Sequence, residues 1–384
     1  GFPIIYNFTM AIPFILTPVV LTLISYIATA SGLVPVVTQS VDWTVPILFS
    51  GYKATGSISG SILQLINLVV GICIYIPFIR RSEQKETAEF QQIVRQMEQD
   101  MEAGESSGNL PLFLSHKYPY NYYAKTLSLD LKNALHRGQV DFFYQPQISR
   151  EGNIHGIEAL LRWQHPVTGY ISPPVIFALA YEGGFLNELN SYLLNRACND
   201  ARILDPQLEN DLILSINISA KQIEENGFFD NTYMVLKKTQ LSRIHFALEI
   251  TERSAMKITD SLMDDIKKLQ NNGISFSLDD FGMGHNSILY LQEGIFDEVK
   301  LDGHLVTQLP GNGRSRDIIS GIIRMARSLD LRILAEYVET KEQRDILVEL
   351  GCGFYQGYYY SRPLPMDKLV EYIKTAGNTA EGQR

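Results

Sequence analysis

Cysteine is scarce in this 384-residue chain: Cys73, Cys198 and Cys352 lie far apart, and none belongs to a Cys-x-x-Cys pair. That spacing excludes a disulfide framework and a zinc knuckle, and it fits a reducing cytoplasm. The seven histidines show no metal-ligand spacing, so His285 and the others read as structural or surface residues. An excess of positive charge is missing too. With a net charge of −9 and no cluster of Lys and Arg, a broad surface for a DNA or RNA polymer is excluded. A small anionic ligand would need local help, such as metal ions. No Gly-x-Gly-x-x-Gly follows the first strand pattern, which argues against a doubly wound open sheet. Finally, no charged residue precedes Asp42.

That uncharged front contains one stretch long enough for a bilayer core of about 30 Å, Met10 to Val34, and a second follows at Ile58 to Ile79. The second ends in Arg80 and Arg81, the cationic flank expected on the cytoplasmic side, which places everything after it in the cytoplasm. The expectation is an inner-membrane, multi-pass protein in contact with lipid. Pro13 and Pro18 are tolerated in membrane helices whose neighbours satisfy the freed carbonyls. Gly1 is not a start methionine and no cleavable leader is visible, so the chain is expected to continue upstream. Between Ser82 and Glu102, Phe90, Ile93, Val94, Met97 and Met101 recur at three- and four-residue steps. This pattern predicts an amphipathic helix, either a dimeric coiled-coil seam or a helix lying on the membrane or on the rest of the protein. Gly104 to Asn109 then reads as a break, giving segments 1–81, 82–114 and 115–384.

The last segment alternates strand and helix patterns. The strand runs are Asp141 to Gln147, Ile157 to Arg162, Leu212 to Ile218, Phe246 to Ile250, Ile274 to Leu278, Glu298 to Leu301, Arg332 to Ala335 and Gly353 to Tyr359. Eight such runs fit one TIM-like (β/α)8 barrel of about 250 residues. Most runs close on a polar residue: Glu158, Asn217, Glu249 with Glu252, the pair Asp279 and Asp280, Lys300, Glu336 and Gln356. In a closed barrel these converge at one mouth. Carboxylates about 4 Å apart repel by about 4 kcal/mol at an effective dielectric near 20, so the cluster calls for cations. An oxygen set without His or Cys suits two Mg²⁺ or Mn²⁺ ions, which can promote in-line displacement at a phosphodiester. Lys300 is the one ammonium among them. Taken singly, each carboxylate reads more readily as a surface residue, and Asp279 and Asp280 as a helix cap. The aromatics from Tyr355 to Tyr360 read as barrel packing rather than as a base-stacking platform.

With Glu158-Ala159-Leu160, Asn217, Glu249, Asp279-Asp280, Lys300, Glu336 and Gln356 in place, the stretch from Ser128 to Ile373 resembles the EAL-domain family of cyclic di-GMP phosphodiesterases. The resemblance implies that Glu158, Asn217, Glu249 and Asp279 are metal ligands and that Asp280 and Glu336 serve a second metal site. It implies that Lys300 holds the reacting water, with Glu158, Asp280 and Glu336 completing the catalytic set. Leu160, Arg162 and Gln356 would contact the ligand, and Glu252 would tether the loop after Asp280 and couple homodimerisation through the barrel to the site. The implied reaction is hydrolysis of cyclic di-GMP to linear pGpG, with a catalytically weak receptor as the alternative. Two departures stand beside the motifs: the loop reads Met283-Gly284-His285-Asn286-Ser287, and Tyr337 follows Glu336 where that family usually has glycine. The first eighty residues, through the Pro46-to-Tyr52 loop and Gln64 to Asn67, resemble the C-terminal end of the enzyme IIC membrane subunit of lactose/cellobiose-type phosphotransferase permeases.

Overall fold

The computed structural model describes residues 8–42, 44–107, 109–219, 222–223, 227–251, 260–282, 291 and 294–381. It divides into two compact units, Gly1–Gln92 and Ile93–Arg384.

In the first unit, helix α1 (Phe8–Ala30) ends just before Gly32, whose left-handed backbone (φ 76°) turns the chain. Helix α2 (Ile47–Thr55) precedes helix α3, which begins at Ile58 and runs unbroken to Ser107. The two helices read from the sequence as a span and a separate amphipathic segment are therefore one element, passing through Pro77. By length and composition, α1 and the stretch Ile58–Gly104 are both able to cross a membrane. Polar side chains join the helices. Asn67 donates to Ser25 Oγ at 2.9 Å, and Gln64 accepts from the Gly51 amide at 2.7 Å while donating to Ser50 Oγ at 2.9 Å. The backbones of α2 and α3 meet at Gly51 and Gly60, where a Cβ on Gly60 would lie 2.5 Å from the Gly51 carbonyl. Small residues of this kind let apolar helices pack backbone to backbone.

The second unit opens with the last turns of α3. Val94, Met97 and Met101 are buried, and Glu98 accepts from the Ser172 amide at 3.0 Å while Asp100 accepts from the Tyr120 hydroxyl. The apolar stripe is thus covered by the chain's own residues, which favours the helix-on-protein reading over a coiled-coil seam. The segment after α3 is fixed as well: the amides of Phe113 and Leu114 both donate to the Glu182 carboxylate at 2.8 Å.

After helix α4 (Asn121–His136) comes a nine-stranded sheet: β1 (Val140–Ser149), β2 (Ile154–His165), β3 (Gly169–Ile171), β4 (Leu212–Ile218), β5 (Ile244–Thr251), β6 (Ser275–Phe281), β7 (Glu298–Leu301), β8 (Arg332–Ala335) and β9 (Phe354–Tyr355). Its order is β1-β9-β8-β7-β6-β5-β4-β2-β3, and β1 also pairs with β2, so eight strands close a barrel with β3 appended to β2. The barrel departs from a regular (β/α)8 in one respect. β1 runs antiparallel to both β2 and β9, because a hairpin rather than a helix joins β1 to β2. The run Gly353 to Tyr359 supplies only two strand residues; the chain beyond turns away through Gly357.

Both faces of the sheet are buried, but they differ in chemistry. One parity carries large apolar groups: Leu214 and Ile216 on β4, Leu248 and Ile250 on β5, Phe276 and Leu278 on β6, Val299 and Leu301 on β7. The other carries Ser215 and Asn217, Ala247 and Glu249, Ser277 and Asp279, Glu298 and Lys300. Alternation therefore sends the bulk outward toward the helices and lines the barrel axis with small and polar groups.

Intramolecular packing of α3 has a measurable consequence. Met97 is fully buried, so Met97→Ala should cost about 2–5 kcal/mol of unfolding free energy in the second unit. Denaturant unfolding in detergent should show the same loss at low and high protein concentration; a loss that fades on dilution would restore the dimeric seam.

Candidate active site

The site forms where β4, β5, β6, β7 and β8 end, beside Glu158 in the middle of β2. Glu158 pairs in register with Ser215, Asn217 with Glu249, Glu249 with Ser277, and Asp279 with Thr251, so like parities stack around the axis. Glu158, Leu160 and Arg162 share one face of β2 by the two-residue period. Simple alternation would aim Asp280 away from Asp279. The register between β6 and β7 shifts instead, a three-residue step on β6 from Leu278 to Phe281 facing a two-residue step on β7 from Val299 to Leu301. This bulge holds Asp280 in a left-handed conformation (φ 57°) and brings carboxylate oxygens of Asp279, Asp280 and Glu336 within 4.8 Å of one another.

Lys300 is the centre of the arrangement, with a side chain 0 % exposed. Its Nζ lies 2.7 Å from Glu249, 2.7 Å from Glu336, 3.2 Å from Glu158 and 3.4 Å from Asp279. Burial opposes the charge on this ammonium, but Asp279, Glu158, Glu249 and Glu336 together hold its pKa well above the ordinary lysine value. One cation among four buried carboxylates leaves a large uncompensated negative charge. Accordingly, burial and the neighbouring Glu158 charge push Glu249 well up, and burial with the Asp279 charge does the same to Glu336. Asp279 is raised by burial and by Glu158 against the pull of Lys300. Glu158 differs. Burial pushes it up, yet Lys300 and hydrogen bonds from Gln356 and Asn217 outweigh that and hold it below the usual range.

Glu158 owes this to its amide neighbours. Asn217 Nδ2 donates to one of its oxygens and Gln356 Nε2 to the other, each at 2.6 Å. Gln356 is itself buried, accepting from Gln147 at 3.0 Å and donating to Gln145 Oε1 at 3.2 Å. It therefore ties the Glu158 carboxylate to the amides of β1. Gln145 and Gln147 were not legible as site residues, since nothing in a strand pattern marks which glutamines lie beneath a carboxylate. Arg162 is half-buried at the rim, its guanidinium 5.8 Å from the Phe143 ring and donating to its neighbour's carbonyl, Leu161 O, at 2.9 Å. Glu252 and residues 283–290, including His285, lie outside the described residues.

The donor set fits divalent cations. All its members present oxygen, three carboxylates lie within 4.8 Å of one another, and Glu249 Oε1 is buried with no hydrogen-bond partner among the described residues. Raised carboxylates sharing a small buried volume are relieved by a cation.

The segment 128–363 matches the family model described as EAL domain, and the chain belongs to that family. It is 35 % identical over 245 residues to the bifunctional diguanylate cyclase/cyclic di-GMP phosphodiesterase MucR of Pseudomonas aeruginosa, covering 64 % of this chain and 36 % of that protein. It is 34 % identical over 244 residues to the probable cyclic di-GMP phosphodiesterase PdeG of Escherichia coli, covering 63 % and 48 %. The chain thus spans between about a third and a half of these curated relatives. Among solved structures it is similar to the MucR phosphodiesterase in complex with c-di-GMP, with a TM-score of 0.59 and 35 % identity over 64 % of this chain and 99 % of that one. The EAL enzyme Bd1971 bound to cAMP and cyclic di-GMP gives a TM-score of 0.60 at 29 % identity, covering 65 % and 69 %.

The raised carboxylates fix the sign of a pH effect. Glu249 and Glu336 hold protons in the folded, cation-free protein at a pH where the unfolded chain, near its ordinary value of about 4.3, does not. Their contribution to stability is present below that ordinary value and lost as pH rises through the raised ones. A cation must displace those protons, so Mn²⁺ affinity should increase as pH rises above the ordinary carboxylate value, with proton release on binding. Calorimetry in buffers of different ionisation enthalpy measures both; affinity independent of pH, with no proton released, would contradict the raised values.

Proposed function

We propose that the barrel hydrolyses cyclic di-GMP to linear pGpG. The observation that carries this reading is the dry cage of four carboxylates around Lys300, with Asp280 beside it and Arg162 at the rim. Membership of the EAL family and the phosphodiesterase names of its relatives supply the substrate. In this reading Glu158, Asn217, Glu249 and Asp279 hold one Mg²⁺ or Mn²⁺ and Asp280 with Glu336 the other, Asp279 lying close enough to both groups to be shared. Such ions, when bound, neutralise phosphate oxygens and acidify the attacking water.

The protein's own residues do the positioning. Gln356 and Asn217 fix the rotamer of Glu158 and keep it ionised, ready to accept a cation. Lys300 remains charged and can only donate, so it orients an oxygen and offsets phosphate charge rather than acting as a base. Arg162 is placed to meet the phosphate that is not being cleaved, and Leu160, between it and Glu158 on the same face, offers an apolar floor. In the net reaction one P–O bond is cleaved, the water oxygen joins phosphorus, and a proton passes to the leaving ribose oxygen. The helices α1 and α3 support attachment to the inner membrane, with the barrel in the cytoplasm; the permease-like identity of the first unit and homodimerisation through the barrel belong to the same proposal.

Purified protein with Mg²⁺ or Mn²⁺ should convert cyclic di-GMP to pGpG, followed by chromatography. Binding without product would replace the enzyme with a receptor. Glu158→Ala and Asp279→Ala should lose Mn²⁺ affinity together with turnover. Lys300→Ala should retain most Mn²⁺ affinity while kcat falls by at least about 100-fold, because the ammonium acts on the reacting oxygen. Equal loss of affinity in all three variants would contradict these roles. Full-length protein in lipid compared with residues 93–384, together with light scattering of each, tests membrane control and the dimer; identical rates and a monomer would leave the first unit as a plain anchor.

A further inference from the structure

Two exposed tyrosines rim the site, and one of them stands in a backbone conformation that a side chain disfavours. Tyr337 directly follows Glu336 and has φ 52°, the left-handed region normally left to glycine. Its ring is 60 % exposed, yet it is seated: a Cβ on Gly303 would lie 2.2 Å from Tyr337 Cδ2 and 2.5 Å from Cγ, so the ring rests against bare backbone. Its loop is held on both sides. The Val338 amide donates to Gln356 O at 3.0 Å, the Tyr359 amide to Val338 O at 3.0 Å, and Gln343 caps the following helix while accepting from the Glu339 amide at 2.8 Å. Tyr337 adjoins Glu336 in the chain, and its phenol feels the charges of Glu336, Asp280 and Glu158, which keeps it beside the acidic mouth. Tyr358 is also exposed, but the Arg362 guanidinium sits 4.2 Å from its ring centroid and occupies one face.

We propose that Tyr337 is a substrate-contact residue whose ring, fixed against Gly303, is the stacking face for one guanine of cyclic di-GMP. The inference rests on the cyclic di-GMP reading above. An aromatic face is electron-rich and does not attract phosphate, least of all beside carboxylates, whereas it suits a flat purine. A ligand with phosphates at the cation cage and Arg162 has its bases splayed toward the rim, where Tyr337 stands. Glycine would meet the backbone requirement at this position without strain, so the side chain is kept at a conformational cost.

The test compares wild type, Tyr337→Phe, Tyr337→Gly and Gly303→Ala in Mg²⁺, with KM and kcat for cyclic di-GMP. A parallel calorimetric arm measures Kd with Ca²⁺, whose longer bonds and looser geometry disfavour turnover. Tyr337→Phe should match wild type. Tyr337→Gly should raise KM and Kd about tenfold with kcat within about twofold, while its melting temperature is no lower than wild type because the left-handed position is relieved. Gly303→Ala, which dislodges the ring without altering residue 337, should raise KM in the same way. Unchanged or tighter binding in Tyr337→Gly would overturn the stacking role, the latter marking the ring as an obstruction. A Phe variant as weak as the Gly variant would do so as well, assigning the effect to the hydroxyl. Wild type that neither binds nor cleaves cyclic di-GMP would bring down the functional reading and this inference together, whereas active wild type with indifferent variants would remove this inference alone.

Discussion

One ammonium buried among four carboxylates is the constraint around which the second unit is organised. Lys300 reaches Glu158, Glu249, Asp279 and Glu336 from a position without solvent access. Burying an unpaired charge is far costlier than burying an apolar group, and each carboxylate here would be untenable without a cation. The lysine keeps the cage assembled but does not neutralise it. Burial, together with the surplus of negative charge, raises the Glu249 and Glu336 carboxyls, and Glu249 Oε1 has no hydrogen-bond partner among the described residues. Such an acidic cluster could accept a metal ion.

The barrel makes such a site affordable by its layering. Outward parities carry Leu, Ile, Phe and Val, so the hydrophobic stabilisation of the sheet does not depend on filling the axis. The axis can then be given to Ser215, Ser277, Glu298 and the amides. Deeper in the axis, Glu298 accepts from Ser277 Oγ at 3.2 Å and from Arg332 Nε at 3.3 Å, a smaller satisfied version of the charge pairing at the mouth. Gln145, Gln147 and Gln356 form an amide network: Gln147 donates to Gln356, Gln356 donates to Gln145 and Glu158, and Gln145 donates to the Ser361 carbonyl. Antiparallel β1 is what supplies two of those glutamines, which links the one irregularity of the barrel to its chemistry.

The sequence made some of this visible and concealed the rest for identifiable reasons. Strand runs such as Leu212 to Ile218 and Glu298 to Leu301 were readable to the residue, because each is a short run with apolar side chains at every second position, bounded by Asp211 and Ser219 or by Asp297 and Asp302. The run at Gly353 was overextended, since aromatics from Tyr358 onward favour strands in general but here follow a turn. The direction of β1 was not legible, as alternation is the same for either strand sense. Asp279 and Asp280 stood out as a pair, but their convergence depends on a bulge, and bulges leave no mark in hydrophobic periodicity. The seam of Val94, Met97 and Met101 was legible as a stripe. What covers it was not, because a stripe records only that something must. Tyr337 was noticed as a departure in composition; its left-handed backbone and its seat on Gly303 emerged only from three dimensions.

We propose that the carboxylate cage around Lys300 is a two-cation site. Anomalous diffraction at the manganese edge from crystals grown with Mn²⁺ and cyclic di-GMP tests it most directly. Two peaks are expected at the mouth, one among Glu158, Asn217, Glu249 and Asp279 and one beside Asp280 and Glu336, with Lys300 Nζ retaining some of its carboxylate partners. No peak within reach of these oxygens, with Lys300 still paired to all four carboxylates and ligand in place, would contradict it.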